Sequence, residues 1–220
     1  MSTTTHNFTN PAATDLAVTA ILDTYLEVAT EIAEYNDLGP AWCVTAAALT
    51  ANVLPRLGIT GVKAIGVNFH GFNVEAIAMQ NRRIPRNKWS RSVYAQGTRG
   101  TGNFIGDNGW DGHALAFVPP LTPGATAWII DPTAPQFSDV DAGVQIPPLR
   151  LPVPKGFLNV GTAMFQIAPE TYLELERNPR LDNFTALDGA EPSYIAGLAS
   201  WTLHLLRKRG VTSTRPSDLN

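Results

Sequence analysis

The sequence predicts an α+β protein in which a central antiparallel sheet packs against a helix that starts near Pro40, with further helices flanking it. Three observations lead there. Apolar residues recur at helical spacing up to about residue 54, short β-branched and apolar runs bounded by Gly, Pro or Asn follow from Val62, and helical spacing returns near the C-terminal end. At 220 residues, 44% apolar and 16% charged, the chain is long and hydrophobic enough to bury a core without disulfides. Sixteen Lys and Arg against nineteen Asp and Glu leave a net charge of -3, so no global field draws phosphate backbones or anionic lipid. Neither nucleic acid nor a membrane is expected as a partner.

Residues 1–13 are polar and aperiodic and read as a flexible tail, residues 14–210 as one domain, and 211–220 as a second flexible tail. The first ten residues carry neither a basic start nor an apolar stretch of the export type, which predicts a cytoplasmic location. From Thr14 a helix runs to about Tyr35, on Leu16, Ile21, Leu22, Tyr25, Leu26, Val28 and Ile32. The stretch Asn36-Asp-Leu-Gly-Pro40 breaks it, and a second helix starts near Pro40 and stops at Pro55 and Gly58. Val62–Phe69, Phe72–Met79, Asp111–Val118 and Thr126–Ile130 read as strands, the first two joined by a hairpin turn at His70-Gly71. Residues 81–109, first basic and then glycine-rich, read as a long mobile flap. Residues 132–154 look irregular, and two more helices are expected over Pro169–Arg177 and Pro192–Arg209.

The chemistry concentrates at three residues. Cys43 is the single cysteine, so it forms neither an intramolecular disulfide nor a paired-Cys zinc site. It stands in the first turn of a predicted helix, where unpaired N–H groups and the helix dipole favour a thiolate and can hold an oxyanion. His113 is a polar residue in the apolar run Ala114-Leu-Ala-Phe-Val118, and needs a partner. Eighteen residues on, Asp131 ends the run Trp128-Ile-Ile, where a carboxylate can stay partly hydrated; adjacent antiparallel strands would set it beside His113. A carboxylate on one imidazole nitrogen and a thiol on the other is the orienter, base and nucleophile arrangement.

The helix-initiating Cys43, Gly112-His113-Ala114 opening an apolar strand, and Trp128-Ile-Ile-Asp131-Pro-Thr133 together resemble the transglutaminase-like branch of the papain-like cysteine enzymes. The resemblance covers about residues 38–135 and implies a papain-like core with the nucleophile helix against the sheet and extra C-terminal helices. It implies Cys43 as nucleophile, His113 as general base and acid, and Asp131 as orienter. Oxyanion donors vary in that superfamily, and Trp42, Asn36 and Tyr35 are candidates by proximity. The implied function is a thiol-dependent hydrolase or acyltransferase (protease, amidase or deamidase) acting on a peptide, protein or small amide through an acyl-enzyme. No metal or organic cofactor is implied. The competing reading is a non-catalytic protein-binding module of the same fold.

Other signals are weaker. Gly100-Thr-Gly102-Asn-Phe-Ile-Gly106 has the wrong spacing for a dinucleotide fingerprint, and His70, His113 and Asp131 lack the helical His spacing of metal sites. The basic residues Arg82 to Arg91 read as a solvated loop and His204 as structural.

Overall fold

The structure, a computed structural model, describes residues 11–35, 42–89, 95–98, 111–159, 161–186 and 190–211. In chain order it places α1 at Pro11–Tyr35, α2 at Cys43–Arg56, β1 at Lys63–Asn73, α3 at Val74–Asn81, β2 at Ala95–Thr98, β3 at His113–Val118 and β4 at Ala127–Asp131. β5 follows at Leu149–Val153, β6 at Thr162–Ala168, β7 at Thr171–Arg177 and α4 at Pro192–Lys208. The strands form one antiparallel sheet in the order β5-β4-β3-β1-β7-β6, with β2 added to the far half of β1. The chain is therefore α+β with α2 packed on the sheet, as the pattern predicts. None of the described helices is long and apolar enough to cross a membrane.

Strand alternation divides the core between the two faces of the sheet. Ala116, Val118 and Ile130 join α1, α2 and α4 on one face. Leu115, Phe117 and Ile129 join Val67, Phe69, Phe137, Phe157 and Leu175 on the other. α1 is tied to the sheet end by Asp15, whose carboxylate accepts from the Thr126 amide at 2.9 Å and hydroxyl at 2.7 Å. It is tied to α2 by a buried Tyr25–Thr50 hydroxyl contact of 2.7 Å. α2 closes one residue beyond Pro55, with Gly58 at φ 92° and the Ile59 amide donating to the Leu54 carbonyl, as the sequence signals indicate.

Several expectations are corrected. α1 starts at Pro11, so the residues from 11 to 13 are helical; proline suits a first helical turn because its missing N–H would have no helical partner there. His70-Gly71 is no hairpin turn: β1 is one strand of 11 residues, paired at His70 and Gly71 with β2 on one side and β7 on the other. It ends at Asn73, whose side chain caps α3 by accepting from the Ala76 amide, so Val74–Met79 is helix. Residues 171–177 are strand rather than helix, with Thr171, Leu173, Leu175 and Arg177 buried and the residues between them less so. Of the expected flap, α3 reaches Asn81, Arg86–Lys88 form a single 3-10 turn and β2 pairs with Phe69–Phe72; residues 90–94 and 99–110 lie outside the described residues. Strands β5 and β6 are absent from the sequence reading.

The turn Pro179–Ala186 lies across β1 at Gly66, next to the start of β3. Asp182 accepts from the Gly66 amide at 2.9 Å, and Arg177 donates both to the Gly66 carbonyl, at 2.8 Å, and to Asp182. A Cβ at residue 66 would stand 2.4 Å from the Leu181 Cβ and 2.6 Å from its carbonyl. Gly66→Ala should therefore lower stability by about 1–3 kcal/mol, read from the urea midpoint. Gly197→Ala is the control: it meets nothing within 4 Å inside α4 and should stabilise by about 0.5–1 kcal/mol.

Candidate active site

Cys43 is the first residue of α2 and is buried at 8% exposure; Trp42 stands at the N-cap position with its carbonyl accepting from Ala46. The first-turn amides of an α-helix have no partner within the helix, so those of Cys43 and Val44 face outward beside the thiol. Val44 and Ala47 of the same helix pack with Cys43 against Ala114 and Phe184. The thiol thus meets the sheet at the start of β3, where His113 stands.

His113 and Asp131 lie on adjacent strands. The register ends at Ala116↔Ile130, and alternation turns Asp131 to the same face as His113, one diagonal step away. The His113 Nε2–H donates to Asp131 Oδ2 at 2.7 Å, with both side chains 1% exposed. The carboxylate is therefore buried and not partly hydrated, contrary to the sequence reading. Its other oxygen replaces that water: Oδ1 accepts from the Thr133 amide at 2.9 Å and hydroxyl at 2.7 Å, both supplied by the tight turn that Pro132 opens. The ring plane is held by Phe69 and Phe137, which stack on each other at 4.3 Å and meet the imidazole edge-on at 5.1 Å and 5.0 Å.

Burial works against a charge on His113, but the Asp131 carboxylate, its hydrogen bond and the Cys43 sulfur, as acceptor for the imidazolium, outweigh it and raise the imidazole to about 10. With Nε2 committed to Asp131, Nδ1 is the nitrogen left for Cys43. The Gln136 amide, at the end of the same turn, also reaches Nδ1, at 3.3 Å.

The structure brings Cys43, His113 and Asp131 together, with Trp42 adjoining them. It does not bring Tyr35, which is 78% exposed at the end of α1 and edge-on to Trp201; Asn36 lies outside the described residues. Sequence reasoning missed Gln136 and Phe184. Gln136 follows Asp131 by five positions in a proline turn, where a 3-10 winding brings it back over the histidine, whereas Phe184 arrives through a contact between distant segments that no local pattern encodes. Among the described residues no three His, Cys, Asp or Glu side chains converge where a cation would sit. His70 is buried in β1, His204 is exposed on α4, and residues 100–106 lie outside the described residues.

The raised His113 makes folding pH-dependent with a definite sign. The folded protein keeps a proton that the unfolded chain, with an ordinary imidazole near 6.5, has released, so the contribution is full below about 6.5 and lost as pH rises through about 10. The stability difference between the protein and His113→Leu should shrink steadily across that window, at up to about 1.4 kcal/mol per pH unit in urea titrations. A difference that grows with pH would reverse the assignment. No family model, no curated protein and no solved structure matches the chain.

Proposed function

We propose that the protein is a thiol-dependent hydrolase or acyltransferase acting on an amide or peptide bond, with Cys43, His113 and Asp131 on a papain-like, transglutaminase-like core. The observation that carries this reading is the buried His113, bonded through Nε2 to Asp131 and interacting with the one thiol of the chain at a helix start.

Cys43 and His113 share one proton, which rests on His113 Nδ1 while the sulfur attacks the substrate carbonyl and the C–S bond forms. The resulting oxyanion is met by first-turn amides of α2, fixed before the substrate arrives. Collapse breaks the C–N bond, and the imidazolium returns its proton to the departing amine. Water or a second amine, deprotonated by Nδ1, attacks the thioester carbonyl and releases the thiolate, which is reprotonated. Asp131 accepts the Nε2–H throughout and stabilises the imidazolium while Thr133 holds its second oxygen. Peptides, proteins and small amides are the substrate class.

The 8% exposure of Cys43 beneath Phe184 favours a second reading, a non-catalytic protein-binding module of the same fold. Iodoacetamide separates the two. At a temperature where each variant is folded, Asp131→Asn should alkylate at least about tenfold more slowly than the protein, since an amide can present N–H to Nε2 and favour the wrong tautomer. His113→Ala should be slower still, and the double variant should match His113→Ala, because groups that act as one unit are non-additive. A thiol as inert as a buried structural cysteine, or additive losses, would give the binding module the better case.

A further inference from the structure

Gln136 closes a ring of polar contacts around the base. Thr133 gives its hydroxyl proton to Asp131 Oδ1, so its oxygen is left to accept, and Gln136 Nε2 lies 3.5 Å from it. That contact orients the carboxamide: the nitrogen, not the oxygen, faces the site, and the same Nε2 stands 3.3 Å from His113 Nδ1. The ring runs Gln136, His113, Asp131, Thr133 and back to Gln136. An N–H aimed at Nδ1 finds a hydrogen-bond acceptor there only when the imidazole is neutral. Nδ1 has a single lone pair, and two groups can donate to it, the Cys43 thiol and the Gln136 amide.

We propose that Gln136 is a positioning residue that weakens the hold of His113 on its Nδ1 proton by bonding the neutral ring, in part offsetting Asp131, which favours the imidazolium. This rests on the catalytic reading above and assigns a part of that site. Asp131 and Cys43 hold a proton firmly on His113, which resists its return to the leaving amine. Gln136 counters this by bonding the form without the proton. It acts a second time once Cys43 carries the acyl group: the sulfur then has no proton to offer, and the Gln136 N–H takes Nδ1 and keeps the ring from turning until the second nucleophile enters. Among the described residues, the charged and titratable groups against the ring are Asp131 from β4 and Cys43 from α2; Phe69 and Phe137 meet it edge-on.

The test is the NMR titration of the His113 ring in the full chain, read beside Cys43 alkylation. Gln136→Leu keeps bulk and removes the donor, and should raise the His113 midpoint by about half a unit or more. Gln136→Glu replaces the donor by an acceptor and should raise it further, while Gln136→Asn, which is too short to span the gap, should behave as the leucine variant does. The same upward shift should persist in a Cys43→Ala background, because the Gln136–His113 contact does not involve sulfur. A midpoint unchanged or lowered in both Gln136→Leu and Gln136→Glu would overturn the proposal. Failure of the catalytic reading has a different signature: Cys43→Ala alone would leave the His113 midpoint in place, showing that thiol and imidazole are uncoupled, whatever the Gln136 variants do.

Discussion

A carboxylate and an imidazole with 1% exposure each, joined at 2.7 Å, set the terms for everything around them. Burying such a pair is costly unless every remaining lone pair and proton finds a partner. Much of the middle of the chain supplies those partners. The β3–β4 register brings the two residues onto one face, Pro132 turns the chain at once so that the Thr133 amide and hydroxyl reach Oδ1, and the 3-10 winding of Ala134–Phe137 returns Gln136 and Phe137 to the ring. A longer β4 would carry Thr133 away along the strand. The end of the strand is thus where the site must be.

The second dependence runs through Gly66. Its neighbour across the sheet is Ala114, adjacent to His113, and its backbone is held by Asp182 and Arg177 from the other end of the chain. Because residue 66 has no side chain, the Pro179–Ala186 turn can lie on the strand itself and deliver Phe184 to Cys43. The C-terminal third therefore contributes a wall of the candidate site. Access to the thiol depends on that contact.

The parts of this arrangement visible in the sequence are those encoded locally. Cys43 at a helix start, His113 in an apolar strand and Asp131 before a proline each carry a signal within a few residues. The misread parts are those decided by tertiary pairing. Thr171–Arg177 contains Glu and Leu, good helix formers, yet its strict alternation of buried and less buried positions serves a strand held between β1 and β6. His70-Gly71 resembles a turn by composition, but hydrogen-bonded neighbours on both sides keep the chain extended there. β5 holds Pro152, a residue that discourages a strand reading, but β5 is at the edge of the sheet order, where proline is tolerated.

The distance between Cys43 and His113 is in turn a question of how closely α2 can approach the sheet. Helix–sheet spacing is set by the side chains in between, and here they are small: Ala47 on the helix faces Ala114 on β3, with Val44 and Phe184 closing the sides. Bulkier residues at 47 or 114 would lift the helix start off the strand and carry the thiol away from an imidazole that cannot follow, because Asp131 and two phenylalanine rings hold it. Reach and rigidity therefore divide between the two partners. The strand fixes His113, and the alanines bring Cys43 to it.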